Sequence, residues 1–243
     1  MLSKAKIKFV KSLQIKKYRK QEQLFVIEGA KGVTELLRGS FEITTIIGTS
    51  DYLATINPPV ATEVLEASID ELEALGEFQS NETVLAIARM KPNLPLTIDP
   101  GEFALLLDDI RDPGNLGTII RTADWYGITK IIASPETTDC YNAKVITATM
   151  GSFTRVSIFY TSLETYLSEN SFRVFGAYLE GEDVHTMTFG NGGLVLIGNE
   201  SHGISESLHA FVTDKITIPR YGQAESLNAA IATAIICDNI RRH

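Results

Sequence analysis

Short apolar runs alternate along this chain with segments whose apolar residues recur every three or four positions. The runs are typical of buried strands, and the longer spacing is typical of helices that cover a sheet. The runs predict strands at 24–28, 43–47, 60–64, 83–88, 103–107, 130–133, 154–158, 173–177, 194–197 and 215–218. The longer spacing predicts helices at 29–38, 114–126, 142–149, 161–168, 204–210 and 226–241. This alternation predicts an α/β fold with a mainly parallel sheet covered on both faces.

A further helix is predicted after Ser68, because Glu71 stands three residues on and completes a capping-box pattern. Between the strands at 83–88 and 103–107, three prolines and Gly101 fall within ten residues. Proline interrupts helices and central strands, so this segment reads as a linker. The predicted organisation is a small α/β domain at 1–91, a linker at 92–101 and a second domain at 102–243.

The 243 residues carry a net charge of −8, but the charge is unevenly distributed. Residues 1–38 hold ten Lys and Arg against three Glu, and the rest of the chain is acidic. A basic cluster on an acidic body is the usual signature of a ligand with a phosphate backbone, and residues 4–20 contain most of it. The alternative is a solvated, frayed N-terminal arm.

Composition narrows the class of protein. Hydrophobic residues make up 44% of the chain, yet no apolar run approaches the roughly 18 residues that a membrane helix needs. Cys140 and Cys237 fall in predicted core segments, away from each other, and the four histidines do not cluster. We therefore expect a soluble protein of a reducing cytoplasm with no metal site.

Three loops after predicted strands are rich in glycine and polar residues. The first contains Asn115, at an expected helix N-cap, and Arg121, expected on roughly the same side of that helix. The second runs from Gly198 into Glu200, and the third has Ser226 as the expected N-cap and Asn228 in the first turn. Ligands of open α/β sheets bind beyond the carboxyl ends of the strands, so these loops are the candidate site. The residues alone leave open that Asn115 is only a cap and that Arg121 only pairs with Asp124.

Taken in order, the three loops resemble the motifs of the SpoU (TrmH-type) family of RNA ribose 2′-O-methyltransferases, in the SPOUT class. The matching segments are DPGNLGTIIRTAD at 112–124, GNESHG at 198–203 and IPRYGQAESLN at 218–228. The opening segment, with KSLQIKKYR at 11–19 and FVIEGAK at 25–31, resembles the ribosomal-protein-like substrate-binding domain of many members directed at rRNA. The resemblance thus covers nearly the whole chain.

This resemblance implies a C-terminal domain with a deep trefoil knot, a homodimer and S-adenosylmethionine as the cofactor. Cofactor-binding positions would be Ile197, Gly198, Asn199, Ile218 and Leu227, and catalytic positions Arg121, Asn115, Glu200, Ser226 and Asn228. The motif arginine of one subunit would reach the methyl donor of the other. RNA contacts are expected from Lys11, Lys16, Lys17, Arg19 and Lys20.

The substrate implied is RNA, with ribosomal RNA favoured over tRNA because a whole domain precedes the motifs. Two other hypotheses stay open at this point: a tRNA methyltransferase, and a ribosome-associated RNA-binding protein that holds the cofactor without turnover. A nicotinamide-dependent dehydrogenase is disfavoured, because no strand is followed by the required glycine fingerprint.

Overall fold

The computed structural model describes residues 2–77, 81–169 and 171–242. The chain forms two compact units. The first comprises Met1–Pro92 and Asp139–Thr154, and the second comprises Asn93–Thr138 and Arg155–His243. Residues 139–154 therefore pack with the first unit, although they follow the predicted linker by some forty residues. The domain boundaries at 91, 92–101 and 102 stay a prediction.

The helices and strands alternate through most of the chain. In the N-terminal part they are α1 (Lys4–Ser12), α2 (Lys16–Glu22), β1 (Leu24–Glu28), α3 (Ala30–Arg38), β2 (Ile43–Gly48), α4 (Ser50–Leu53), β3 (Glu63–Glu66), α5 (Ile69–Leu75) and β4 (Val84–Arg89). They continue with β5 (Phe103–Leu107), α6 (Pro113–Trp125), β6 (Lys130–Ala133), α7 (Ala143–Thr149), β7 (Ser157–Tyr160), α8 (Leu163–Ser168), β8 (Val174–Asp183), β9 (Gly193–Ile197), β10 (Asp214–Thr217) and α9 (Ala229–Arg242). Two 3₁₀ helices lie at Ser152–Thr154 and Glu206–Phe211.

Most predicted elements are present, but several differ in bounds or type: β8 runs on from the predicted 173–177 to Asp183, and α9 begins at Ala229 rather than at 226. The strand predicted at 60–64 is β3 at Glu63–Glu66, and the one predicted at 154–158 is β7 at Ser157–Tyr160. The helix predicted at 204–210 is a 3₁₀ helix. The capping box of Ser68 and Glu71 is present at the start of α5.

The basic opening of the chain is folded. It forms α1 and α2, two helices that the charge pattern did not predict. Val10 and Leu13 are buried in one of the unit's apolar clusters, beside Val26 of β1 and Leu72 of α5. The hypothesis of a frayed arm is therefore wrong, because apolar positions between the lysines are anchored in the core.

The described residues of the first unit build a sheet of order β1-β4-β2-β3. β4 pairs antiparallel with β1 and β2, and β2 pairs parallel with β3. One face of this sheet carries an aromatic cluster in which the ring of Phe25 lies 4.6 Å from that of Tyr141 and 6.1 Å from that of Phe153. The segment 139–154 thus belongs to the core of this unit.

Arg19 is buried in the same unit, with 3% of its side chain exposed. Its guanidinium donates to the carbonyl oxygens of Leu13 and Gln14, at 3.1 and 2.7 Å, and to the carboxylate of Asp139, at 2.8 Å. The turn between α1 and α2 is therefore fixed to the segment that begins at Asp139.

The second unit is organised around a sheet of order β10-β8-β9-β5-β6-β7 in its described residues, and every pairing in it is parallel. β5 and β9, at its centre, are buried almost throughout. The predicted α/β fold with a parallel sheet is confirmed, while the knot stays a prediction. Searched over the described ranges, the chain has no helix long and apolar enough to cross a membrane.

The buried ion pair of Arg19 and Asp139 generates a stability prediction. Replacing Arg19 with methionine should lower the free energy of unfolding by about 3–5 kcal/mol, because the nearly buried carboxylate loses its cationic partner. Urea unfolding followed by circular dichroism measures the change. Lys20→Met, at the neighbouring exposed position, is the control and should stay within about 0.5 kcal/mol of wild type. An equal loss in both variants would contradict the importance of the ion pair.

Candidate functional site

The three candidate loops follow β5, β9 and β10. Because these strands are parallel, their carboxyl ends lie at one edge of the sheet, and the loops that leave them can meet there. The meeting is observed in hydrogen bonds. Asn115, Glu200 and Asn228, separated by up to 113 positions in the sequence, form one connected chain of side chains.

The first loop leads into α6 through a cap that differs from the predicted one. Asp112 is the N-cap, and its carboxylate accepts a hydrogen bond from the backbone N–H of Asn115 at 2.8 Å. Pro113 takes the first helical position, where its missing N–H costs nothing. Asn115 therefore lies within the first turn, and its side chain is left free for contacts outside the helix.

In the third loop, too, the N-cap differs from the predicted one. Asn228, not Ser226, caps α9: its Oδ1 accepts from the backbone N–H groups of Ala230 and Ile231, at 3.0 and 3.3 Å. Ser226 is exposed two residues before it. The prediction chose Ser226 because serine is a common N-cap, but asparagine caps equally well and stands one residue before the helix begins.

The capping of α9 by Asn228 sets the orientation of all three side chains in this hydrogen-bonded series. Since Oδ1 of Asn228 faces α9, its Nδ2 points outward and donates to Oδ1 of Asn115 at 2.8 Å. That contact in turn directs Nδ2 of Asn115 toward Glu200, to whose carboxylate it donates. The donor and acceptor ends of both asparagine carboxamides are thereby assigned, and Glu200 is held as the hydrogen-bond acceptor at the end of the series.

Asp109 is a residue that the sequence reasoning missed. It is buried and adopts a left-handed backbone conformation with φ of 58°. Its carbonyl oxygen accepts from Nδ2 of Asn199 at 2.7 Å, and its carboxylate accepts from Nε of Arg111 at 2.7 Å. His202 lies 3.2 Å away from the same carboxylate. Asp109 thus ties the loop after β5 to the loop after β9; its place after a buried strand was the available signal.

The contact with Asp109 also acts on Arg111. The hydrogen bond to the carboxylate raises the pKa of the exposed Arg111 guanidinium above its ordinary value. Elsewhere in the unit, burial raises the pKa of Cys237 to about 12, so this thiol is an unreactive core residue.

Arg121 is exposed and lies apart from the connected chain. Among the described residues, its side chain makes no hydrogen bond or ion pair, and Asp124 pairs with Arg155 instead. The expectation that Arg121 shares a side with Asn115 is wrong, because six residues of α-helix leave two side chains about 120° apart. The alternative pairing of Arg121 with Asp124 is also wrong.

The positions that the resemblance gave to the cofactor surround this edge. Ile197 ends β9, and Gly198 follows where the chain folds back on itself: a Cβ at Gly198 would lie 2.3 Å from the carbonyl carbon of Gly203. Asn199 pairs with Gly203 through both backbone hydrogen bonds, at 3.0 and 2.9 Å. Glycine is thus required at 198 by the return of the loop.

Ile218 and Leu227 lie in the segment between β10 and α9. Considering described residues only, the backbone N–H and C=O groups of these two positions form no backbone–backbone hydrogen bonds. Leu227 exposes 46% of its surface. Unpaired backbone groups beside apolar side chains suit a nucleoside, whose flat base needs apolar contact and whose edges need donors and acceptors. The residues present therefore fit S-adenosylmethionine.

The residues expected to contact RNA divide into two groups. Lys11, Lys16, Lys17 and Lys20 are exposed on α1 and α2. Arg19 is buried and engaged with Asp139, so it does not offer its guanidinium to a ligand. The charge pattern could not distinguish the exposed lysines from the buried arginine, because burial depends on how the turn between α1 and α2 packs.

Comparison with known proteins establishes the class. Residues 102–238 match the SpoU rRNA methylase family, and residues 4–86 match the MRM3-like substrate-binding domain. The first match covers more than half of the chain, and it contains all three candidate loops. The chain belongs to the SpoU rRNA methylase family, and the resemblance of the motifs is confirmed.

Individual relatives cover the chain from end to end. The 23S rRNA (guanosine(2553)-2′-O)-methyltransferase RlmP of Bacillus subtilis is 29% identical over 240 residues, 97% of this chain and 96% of its own. A Porphyromonas gingivalis structure assigned to the TrmH family of RNA methyltransferases has a TM-score of 0.90 at 35% identity, covering 100% and 99% of the two chains. The AdoMet-bound rRNA methyltransferase of Sinorhizobium meliloti has a TM-score of 0.90 at 31% identity, covering 100% and 96%.

The double role of Asn228 generates a prediction on stability. Asn228→Ala should lower the free energy of unfolding by about 1 kcal/mol, because α9 loses its cap. Asn228→Asp should stay close to wild type, since a carboxylate accepts the same two N–H bonds. Thermal unfolding of the two variants measures the difference. If the aspartate variant were as unstable as the alanine variant, the capping role would be refuted.

Proposed function

We propose that this protein transfers a methyl group from S-adenosylmethionine to the ribose 2′-hydroxyl of a nucleotide in ribosomal RNA. The observation that carries the proposal is the series of hydrogen bonds that joins Asn228, Asn115 and Glu200 at the sheet edge. The protein in which it occurs belongs to the SpoU rRNA methylase family. Relatives that match over nearly the full length include a 23S rRNA 2′-O-methyltransferase and an AdoMet-bound rRNA methyltransferase.

The cofactor is held by the loops of the second unit. Ile197, Gly198 and Asn199 of the second loop, together with Ile218 and Leu227 of the third, would hold it. When bound, S-adenosylmethionine supplies a methyl group on a positively charged sulfur. Because charge is lost as an electron-rich oxygen accepts that methyl group, loops that exclude water favour the reaction, and alignment of the oxygen supplies much of the rate.

Arg121 acts on the RNA side of the reaction. A guanidinium has a pKa above about 12 and stays protonated, so it is unsuited to remove the proton from the ribose hydroxyl. Its planar fork of donors suits the phosphate next to the target ribose and stabilises negative charge as it develops on the 2′-oxygen. The proton passes to that phosphate or to water.

The site is shared between two subunits of a homodimer. Arg121 is exposed and unengaged within its own chain's described residues, which supports a role on a ligand or on a partner subunit. Asn115 and Glu200 fix the loops against each other, and Asn228 holds the third loop. Ser226, exposed in that loop, stays a predicted position of the site. The homodimer and a cytoplasmic location are part of the proposal.

RNA is bound in addition by the first unit, whose α1 and α2 expose Lys11, Lys16, Lys17 and Lys20. Lysines on such a surface neutralise phosphates and release counterions, so RNA affinity should fall as salt rises. Deleting residues 1–20 would not test this contribution, because the deletion also removes Val10 and Leu13 from the core. Single lysine substitutions are the suitable variants.

The proposal is tested by incubating the protein with methyl-labelled S-adenosylmethionine and separate pools of unmodified rRNA and tRNA. Mass spectrometry of the labelled RNA should place a 2′-O-methyl group on one rRNA nucleotide. If only tRNA were labelled, the proposed reaction would stand and the proposed rRNA substrate would be wrong. If the cofactor binds saturably but no RNA is labelled, ribosomal subunits included, the result would support a binding protein without turnover. It would overturn the proposed methyltransferase activity.

Substitution of Arg121 separates the chemistry from cofactor binding. Arg121→Ala should reduce methyl transfer by at least about 10²-fold, in the range seen when a transition-state donor is lost. Affinity for S-adenosylmethionine, measured by calorimetry, should change by no more than a few-fold. The control is Arg242→Ala, an exposed arginine at the end of α9. A parallel loss of cofactor affinity in Arg121→Ala would defeat this assignment.

Substitution of Asn228 tests the connected chain. In Asn228→Asp, Oδ1 of Asn115 loses its donor and faces a carboxylate, which has no proton to donate, while Nδ2 of Asn115 still faces Glu200. Methyl transfer should therefore fall at least about tenfold, while α9 keeps its cap and the fold its stability. Wild-type turnover in this variant, measured with the same labelled RNA, would show that the orientation of the chain is not needed.

A further inference from the structure

Ile15 occupies a position that is unfavourable for its side chain. It is the N-cap of α2, where Ser, Thr, Asn or Asp is preferred, and it makes no capping hydrogen bond. It is also 54% exposed, so it gains little from burial. Stability of the fold therefore does not account for isoleucine at this position.

Tyr18 lies three residues on, which places it on the same side of the first turn as Ile15. Its side chain is 39% exposed, and the ammonium nitrogen of Lys17 lies 6.0 Å from the centre of its ring. We call Ile15, Lys16, Lys17 and Tyr18 the α2 patch. It combines an exposed aromatic ring, an exposed aliphatic side chain and two exposed lysines.

The backbone beneath the α2 patch is fixed. Arg19, the next residue, points inward and donates to the carbonyl oxygens of Leu13 and Gln14, immediately before Ile15. Its other contact is the carboxylate of Asp139. The patch is thus presented by a turn that is ordered before any ligand arrives, which reduces the entropy lost on binding.

The charge around the patch identifies its ligand. Residues 4–22 contain eight Lys and Arg and a single acid, Glu22. Lys4, Lys8, Lys11 and Lys20 are exposed along with the two lysines of the patch. Such density of positive charge opposes contact with a second copy of the same surface and favours a polyanion. An exposed ring amid cations suits a polyanion that also has flat apolar faces, which is unpaired RNA.

We infer that the α2 patch is a binding site for an unpaired nucleotide of the substrate RNA: the base stacks on Tyr18, Ile15 contacts its edge, and Lys16 and Lys17 contact the adjacent phosphates. The inference rests on the proposed function in taking RNA as the ligand. It assigns Tyr18 and Ile15, uncharged residues outside the candidate active site, to recognition of single-stranded substrate.

Fluorescence anisotropy with labelled twelve-nucleotide oligo(U) and a fully paired RNA duplex of the same length tests the inference. Tyr18→Ala should weaken oligo(U) binding about tenfold, as expected when one stacked base is lost, and Tyr18→Phe should retain wild-type affinity. Duplex binding should change little in either variant, because paired bases do not present their faces.

Salt dependence separates stacking from charge. Tyr18→Ala removes no charge, so the slope of log affinity against log salt should equal that of wild type. Lys17→Ala should reduce the slope by about 0.7, as expected for one contact with a phosphate of single-stranded RNA. A slope that falls in Tyr18→Ala, or affinity that does not fall, would overturn the stacking role.

Ile15→Ser provides a variant whose stability and binding should change in opposite directions. Serine restores a capping side chain, so the melting temperature should rise, while affinity for oligo(U) should fall about threefold or more. The control is Val60→Ser, at a fully exposed apolar position of the same unit, which should leave affinity unchanged. Unchanged affinity in Ile15→Ser would overturn the contact of Ile15 with the base, and unchanged affinity in both Ile15→Ser and Tyr18→Ala would leave a protein partner as the occupant of the patch.

These binding measurements do not depend on turnover. If the wild-type protein methylates rRNA but the patch variants bind oligo(U) normally, the inference fails and the proposed function stands. If the patch variants lose oligo(U) binding but the wild-type protein methylates no RNA, the inference stands and the proposed function fails.

Discussion

The parallel direction of every described strand in the larger sheet is the constraint on which the candidate site depends. Parallel pairing sends the carboxyl ends of β5, β9 and β10 to one edge, and each strand is followed there by a loop of polar residues and glycine. One antiparallel strand among these three would have moved its loop to the opposite edge. The shared direction also buries the central strands on both faces, so polar chemistry is confined to the edge.

At that edge, the side chains of the site are oriented by the fact that each asparagine amide has a donor end and an acceptor end. Asn228 is oriented by the first N–H groups of α9, Asn115 by Asn228, and Glu200 by Asn115, so the start of a helix determines the position of a carboxylate in another loop. A second link runs through Asp109, whose left-handed backbone and buried carboxylate join the first two loops. The two links make the loops one body, which suits a reaction that depends on alignment.

The smaller unit shows how one buried charge shapes a surface of many exposed ones. Arg19 belongs to the same basic segment as the lysines around it, but its inward contacts set the course of the turn that displays them. Ile15 is exposed on that turn where a capping residue would be more favourable, and Tyr18 is exposed beside it. Exposed apolar residues within a basic surface are consistent with the binding of a polyanion that has stacking faces.

The sequence by itself determined the alternation of strands and helices, the capping box at Ser68 and the three loops with their family, because these depend on local patterns of apolar residues and on short motifs. Tertiary structure decided what local pattern does not encode: that Asn115 joins Glu200 and Asn228, and that Arg19 is buried against Asp139 while its neighbouring lysines are exposed. Each of these outcomes depends on contacts between residues far apart in the chain. The same holds for residues 139–154, which packing joins to the first unit although the chain reaches them only after the linker.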